Sequence, residues 1–284
     1  MSQPATVRAR IESSLGERLS STLQLRERLA PQTVTTGVAA LDALTGGLPR
    51  GALSEIAGPA SSGRTGVMLS ALAEATRRLE ICALVDASDS FDPASAEAAG
   101  MDLGRVLWIR CSEHEQQLPL DGFAHNARPQ RKAFRRLDQV LKVTDLLLQS
   151  GGFGMIVVDM GDIPGEIARR VPLTSWFRFR RAVEQTATVL MLLEQEACAK
   201  TCASLVLQLH RQAICAHDAV PKKPDETAGW KIISGSLPAI PANNVVRHAA
   251  LLHGMQVQAE VVRSWTRKPV QSVFELRKYS TLSS

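Results

Sequence analysis

One glycine-rich segment has the composition and spacing of a loop that binds phosphate. It runs from Gly58 to Thr65 and reads Gly-Pro-Ala-Ser-Ser-Gly-Arg-Thr. This matches, with one substitution, a known pattern in which two glycines flank four residues and a lysine and a hydroxyl residue follow. In such a turn, backbone N–H groups and the dipole of the next helix hold phosphate groups. The predicted contacts to nucleotide phosphates come from Gly58, Pro59, Ser61, Ser62, Gly63, Arg64 and Thr65.

Two further residues decide what this loop can do with a nucleotide. Asp159 ends an apolar run, and together with the Thr65 hydroxyl it is the group expected to hold Mg²⁺ beside ATP. Arg64 replaces the lysine of the pattern, and a planar guanidinium is a poor substitute for a compact ammonium in a tight site. Two interpretations stay open: a loop that binds ATP with Mg²⁺ only weakly, and a glycine turn that binds no ligand.

Apolar runs that alternate with amphipathic segments predict the surrounding fold. Short continuous apolar runs are typical of buried strands, and they occur at 52–57, 81–86, 106–109, 155–159, 188–193 and 204–209. Segments with helical character lie between them at 36–44, 64–78, 132–149 and 173–185. Because helices that alternate with buried strands cover both faces of a parallel sheet, we expect an α/β core with a mainly parallel sheet.

The two ends of the chain have other patterns. Near the N-terminus, apolar residues recur at every fourth position: Val7, Ile11, Leu15, Leu19 and Leu23. This predicts a helix over residues 5–30 that docks either on its own domain or on a neighbouring subunit. Residues 216–244 predict a long connection, and strands at 256–263 and 270–278 predict a terminal β-hairpin. The predicted domains are a helical arm (1–32), a core (33–215) and a linker with a β extension (216–284).

The net charge of the chain is compatible with nucleic acid as a partner but does not require such a partner. The formal net charge of +5 and the pI of about 9.1 fit contact with DNA and equally fit an ordinary basic protein. Basic residues cluster at Arg128, Arg131, Lys132, Arg135 and Arg136, at Arg169 and Arg170, and at Arg178, Arg180 and Arg181. These clusters either contact the DNA backbone or form solvated helix faces. Trp176 and Phe177 lie near the last two clusters. They could stack on bases, but we favour the interpretation that they anchor the core.

Cysteines and apolar stretches indicate the compartment. Cys198 and Cys202 are four positions apart, but no convincing His or Cys partners complete a metal site. We therefore expect all five cysteines to be reduced, structural thiols. The N-terminus lacks an apolar signal core, and no run is long enough to span a bilayer. The sequence predicts a soluble, cytoplasmic protein.

Motifs spread over about residues 36–280 occur together in one family. They are Thr36-Gly37, Gly46-Gly47-Leu48-Pro49-Arg50-Gly51, the phosphate loop, Asp86-Ala87, Asp92-Pro93 and Ile156-Val157-Val158-Asp159. In this combination the chain resembles bacterial RecA, which implies a RecA-type P-loop core. The resemblance also implies that Gln195 and Arg263 sense the γ-phosphate of ATP. Gly165-Glu166-Ile167 is similar to the start of the first DNA-binding loop, which makes Arg169 and Arg170 the DNA-binding candidates.

The departures from RecA are as informative as the matches. Ser88 stands where the family has its catalytic glutamate, and Asp89 beside it is only a weak candidate for that role. Loss of a general base lowers a rate by about 10²–10⁴-fold. The second DNA-binding loop is reduced to about residues 196–203, and Trp265 replaces a lysine. We therefore expect at most a weak ATPase and not a working recombinase.

A shortened RecA relative with an altered pocket resembles ImuA, the RecA-like member of the bacterial mutasome. That resemblance implies an accessory role in damage-induced (SOS) translesion DNA synthesis. The implied partner is an ImuB-type polymerase-like protein, with RecA, an error-prone polymerase and DNA as further candidates and self-association through the N-terminal helix. The alternatives are a DNA-dependent ATPase or recombinase and a regulator that binds RecA filaments.

Overall fold

An eight-stranded sheet forms the centre of the protein. The computed structural model describes residues 31–111, 128–216, 252–264 and 271–277. All the elements below belong to the unit Thr33–Ser284. The predicted N-terminal helix, nearly all of the predicted connection at 216–244, and Trp265 lie outside the described residues.

The strands of this sheet run mostly parallel. They are β3 Ala52–Ala57, β4 Cys82–Asp86, β5 Val106–Arg110, β6 Met155–Asp159, β7 Val189–Glu194, β8 Leu205–Ala216, β9 Leu252–Arg263 and β10 Gln271–Arg277, while β1 Thr33–Val34 and β2 Leu48–Pro49 pair separately. The order across the sheet is β10-β9-β8-β3-β7-β6-β4-β5. Every neighbouring pair from β5 to β8 is parallel. These parallel pairs confirm the mainly parallel sheet. The antiparallel pairing of β8 with β9 and of β9 with β10 confirms the C-terminal hairpin.

Helices flank the sheet. They are α1 Ala39–Thr45, α2 Arg64–Arg77, α3 Pro93–Ala98, α4 Arg128–Ser150, α5 Gly165–Ala168 and α6 Leu173–Val183, with 3₁₀ turns at Leu103–Arg105 and Lys200–Cys202. β8 continues well beyond the predicted end at residue 209, because antiparallel pairing with β9 extends it past its apolar run. None of the helices in the described parts of the chain has both the length and the apolar character needed to cross a membrane.

Each parallel strand contributes side chains to two cores, one on each face of the sheet. On one face Ile56 of β3 belongs to the same cluster as Leu72 of α2. On the other face Leu53 of β3 joins Val140 of α4 and Trp176 of α6. Successive side chains of a strand point to opposite faces, so a strand covered on both sides must be apolar at nearly every position. The carboxyl ends of four strands lie on the same side of the sheet, and the candidate site forms there. These strands are β3, β4, β6 and β7.

The interpretation of Trp176 and Phe177 as core anchors is correct for Trp176 and wrong for Phe177, whose side chain lies on the outer face of α6. Trp176 is only 1% exposed and its ring centroid lies 5.9 Å from that of Phe179, whereas Phe177 is 47% exposed. We expect Trp176→Ala to lower the free energy of unfolding by about 3–5 kcal/mol, because it leaves a large cavity. Phe177→Ala should change it by less than about 0.5 kcal/mol. Urea denaturation of both variants measures this, and similar losses would contradict a core role confined to Trp176.

Candidate nucleotide-binding site

The segment between β3 and α2 leaves backbone groups available to a phosphate. The Gly58 N–H donates to the Glu194 carbonyl oxygen at 3.1 Å, which fixes the start of the loop beside the end of β7. Helix α2 begins after Gly63 without a side-chain cap. The first N–H groups of a helix have no partner within it, so here they remain for water or a ligand. Thr65, in the same first turn, is exposed.

Two glycines of the loop are required by close packing. A Cβ on Gly58 would lie 2.6 Å from the Leu209 carbonyl oxygen of β8. Gly63 has a φ of +97°, and a Cβ there would lie 2.8 Å from side-chain atoms of both Val257 and Leu276. Larger residues at either position would clash with neighbouring strands. The loop therefore packs directly on β8 and on the β9–β10 hairpin.

Arg64 turns into the protein and not toward solvent. Only 9% of the residue is exposed, and its Nη2 donates to the Gly161 carbonyl oxygen at 3.4 Å. Burial lowers the pKa of the Arg64 guanidinium, while attraction to Asp159, Asp162 and Glu194 opposes that change. A fixed positive charge therefore lies next to Asp159, where sequence analysis expected Mg²⁺.

Asp159 and Gln195 contact the same glycine as Arg64. Asp159 Oδ1 accepts the Gly161 N–H at 2.9 Å, and Gln195 Nε2 donates to the Gly161 carbonyl oxygen at 3.0 Å. Burial raises the pKa of Asp159, the nearby Asp86 adds to this rise, and Arg64 opposes it. Because Arg64 and Gln195 share one acceptor, the predicted sensor Gln195 is linked to the phosphate loop through Gly161.

The turn after β4 is organised by Asp86. Its carboxylate accepts hydrogen bonds from the backbone N–H groups of Ser88, Ser90 and Phe91 at 3.1, 3.2 and 3.0 Å, and from the Trp108 indole at 3.2 Å. Asp86 is 1% exposed, so these donors replace the water that it loses on burial. Ser88 is held here through its backbone, and its hydroxyl cannot supply the carboxylate that a general base of this kind requires.

Asp89, in the turn after β4, forms an ion pair with Arg110 of the neighbouring strand β5. Arg110 of β5 donates to it from Nε and Nη2, at 2.6 and 2.8 Å. These hydrogen bonds lower the pKa of Asp89. A carboxylate with a lowered pKa is a weaker base. The geometry therefore gives no support to Asp89 as a replacement for the catalytic glutamate.

Arg263 and Arg169 both contact the segment that follows β7. Arg263 donates to the Lys200 carbonyl oxygen, and Arg169 forms an ion pair with Glu196. Arg263 thus contacts its own chain, which does not test its predicted role toward the γ-phosphate. Arg169 and Arg170 are exposed at one end of α5, so the sequence-based proposal that they contact DNA remains open.

Several of the other basic residues are exposed on α4 and α6. Arg131 and Arg135 are exposed on α4, and Arg178 of α6 pairs with Asp145 of α4 at 2.9 Å. Both a solvated helix face and a DNA contact fit this exposure. The two interpretations from the sequence therefore stay open.

A buried cluster of ligating groups was missed by the sequence analysis. Glu55 of β3, Glu194 at the end of β7 and Cys198 have potential ligand atoms that all lie within 4.8 Å of one another. The available signal was a glutamate within one mainly apolar run, Glu55, and another directly after a second apolar run, Glu194. No spacing rule connects them with Cys198, because only the pairing of β3 with β7 and the following turn bring them together.

The chain is similar to RecA over a region that includes the glycine-rich loop between β3 and α2. A sequence profile of the RecA N-terminal domain matches residues 5–125. RecA of Rhizobium leguminosarum bv. viciae is 33% identical over 174 residues, which cover 58% of this chain and 43% of that protein. RecA of Symbiobacterium thermophilum is 35% identical over 156 residues, covering 53% of this chain and 37% of that protein.

These matches support a RecA-like protein without extending to a whole RecA. The match to RecA of Wigglesworthia glossinidia brevipalpis, at 33% identity over 167 residues, covers 56% of this chain and 44% of that protein. The aligned region thus spans about two fifths of each of these relatives. In the described residues, the mainly parallel sheet with flanking helices is consistent with a RecA-type α/β core.

Replacing Arg64 by lysine tests whether the guanidinium limits nucleotide binding. We expect Arg64→Lys to bind ATP with Mg²⁺ at least about tenfold more tightly than the unchanged protein. A tenfold change in Kd corresponds to about 1.4 kcal/mol of binding free energy. A compact ammonium reaches phosphates and leaves the Gly161 carbonyl to Gln195. Isothermal titration measures the affinity. The control is Arg64→Lys combined with Thr65→Ala, which should lose the gain; equal affinities of Arg64→Lys and the unchanged protein would refute this explanation.

Proposed function

Taking the RecA-like core as the premise, we propose that this chain is an accessory protein of DNA repair and not a recombinase. Its role is in damage-induced translesion DNA synthesis, as in the ImuA group that the sequence resembles. It acts by contact with an ImuB-type polymerase-like protein, with RecA, an error-prone polymerase or DNA as further partners. ATP with Mg²⁺ binds weakly or not at all, and turnover is not required.

The observation that carries this proposal is the position of Arg64. Its guanidinium shares the Gly161 carbonyl with Gln195 and lies next to Asp159. A loop lysine in an ATPase must reach the phosphates, and the acid must hold Mg²⁺. Here the side chain at the lysine position hydrogen-bonds to the protein itself. Together with Ser88 in place of a glutamate and Asp89 paired with Arg110, this favours a structural role for the pocket.

The edge of the sheet offers a surface for a protein partner. β5 is the last strand on its side of the described sheet, and Leu107 on it is 48% exposed. Ile81, which directly precedes the adjacent strand β4, is 45% exposed. Edge strands and exposed apolar side chains are typical of sites where another chain docks. This edge is our candidate contact for the polymerase-like partner.

Phosphate release distinguishes an accessory protein from an enzyme. We expect the unchanged protein and Thr65→Ala to have equal, background rates, with and without single-stranded DNA. The reason is that Ser88 and the paired Asp89 leave no general base among the described residues of the turn after β4, and that Arg64 lies next to Asp159. Hydrolysis that DNA stimulates and that Thr65→Ala abolishes would instead support the alternative, a DNA-dependent ATPase of the RecA type.

Co-purification tests the partner. We expect an ImuB-type protein to be retained by the full chain, and Leu107→Glu to reduce the retained amount at least about tenfold, because a charge would be buried at the contact. The matched control is Leu146→Glu, which changes a residue that is 65% exposed on α4. Failure of the full chain to retain such a protein would contradict the proposed partnership. A change in RecA strand exchange on adding the chain would favour a regulator of RecA filaments.

A further inference from the structure

Glu55 is a carboxylate in the centre of the sheet. It lies within β3, which has β7 on one side and β8 on the other, and it is 0% exposed. Burying a charged carboxylate is strongly unfavourable unless partners replace the lost water. A glutamate at this position therefore needs a reason beyond packing.

One carboxylate oxygen of Glu55 is fully occupied and the other is not. Oε1 accepts the backbone N–H groups of Cys198 and Ala199, at 2.7 and 2.6 Å. Oε2 is buried and has no hydrogen-bond partner. Two backbone donors on one oxygen fix the orientation of the carboxylate. This arrangement is typical of the outer contacts that orient a metal-binding carboxylate.

Glu194 and Cys198 present their ligating atoms to the same place. Glu194 is 1% exposed, and the thiol and backbone N–H of Cys198 lie near its carboxylate without forming a hydrogen bond of good geometry to either oxygen. Cys198 is 3% exposed, and its Sγ and one oxygen from each glutamate lie within 4.8 Å of one another. Glu55 Oε2 is also buried without a partner, so unpaired carboxylate oxygens from two adjacent strands lie close together. Two buried carboxylates so close repel each other unless a cation lies between them.

We propose that Glu55, Glu194 and Cys198 form a buried site for a divalent transition-metal ion, best suited to Zn²⁺. A thiolate beside two carboxylates matches the borderline-soft character of Zn²⁺. Mg²⁺ and Ca²⁺ prefer oxygen ligands alone. A fourth ligand can come from a carboxylate that binds through both oxygens, or from water.

The surrounding charges suit such an ion. A thiolate and two carboxylates around Zn²⁺ leave one net negative charge. Arg64 attracts Glu194 and Arg263 attracts Glu55, so two guanidinium groups offset part of that charge. Because Cys198 belongs to the segment after β7, the metal would fasten that segment to the central strand β3. This inference does not depend on the proposed role in DNA repair.

Metal content and cobalt spectra test the site directly. After the full chain is saturated with Zn²⁺ and excess metal is removed, we expect about one ion per chain. Co²⁺ in place of Zn²⁺ should give an absorbance band from thiolate-to-metal charge transfer. Zn²⁺ should also raise the melting temperature of chelator-treated protein. Absence of both the bound ion and the cobalt band would overturn the proposal, whatever the outcome of the ATPase and co-purification experiments.

Variants identify the ligands. Cys198→Ser and Glu194→Gln should each weaken Zn²⁺ binding more than tenfold, and Cys198→Ser should remove the charge-transfer band. The matched control is Cys202→Ser, because Cys202 is buried in the same segment but is not one of the three ligands. Equal binding by Cys198→Ser and Cys202→Ser would refute the assignment. If Glu194→Gln melts higher than the unchanged protein and neither binds Zn²⁺, the two glutamates share a proton instead.

Discussion

The attraction between the buried Arg64 guanidinium and nearby acids is the interaction on which the candidate site depends. Asp159, Asp162 and Glu194 all oppose the unfavourable effect of burying that charge. They are near one another because parallel strands end at the same edge of a sheet, with β7 between β3 and β6. The fold thus supplies a group of acids, and a cation must accompany them. In this chain an amino-acid side chain provides part of that positive charge.

This charge balance links features that would otherwise be separate. Arg64 and Gln195 meet at Gly161, whose N–H is bonded to Asp159. Glu194 connects this group with the Glu55–Cys198 pair, because its carboxylate attracts Arg64 and repels Glu55. A change of charge at any one position would therefore be felt at the others, since charges in a low-dielectric interior interact strongly. The charges at the phosphate loop and at the candidate metal site therefore influence each other.

Much of the fold could be predicted from the sequence, because strands covered on both faces must be continuously apolar. The phosphate loop and the acid at the end of β6 were recognisable from residue types and spacing. The direction of the Arg64 side chain was not, since it depends on Gly161 and Gln195, which are distant in sequence. The pairing of Asp89 with Arg110 also required β5 to lie beside β4. Glu55, Glu194 and Cys198 escaped notice because only the pairing of β3 with β7 and the turn after β7 bring them together.

The contact of Gly63 with Val257 and Leu276 has a consequence for how the chain acquires its structure. The phosphate loop is encoded early in the sequence, yet part of its packing comes from β9 and β10, which are synthesised much later. Contacts between distant segments form slowly, because a long stretch of chain must be closed before they give any stability. During translation the loop would therefore stay incompletely packed until the hairpin emerges from the ribosome. Folding of the candidate nucleotide-binding region is in this sense a late event.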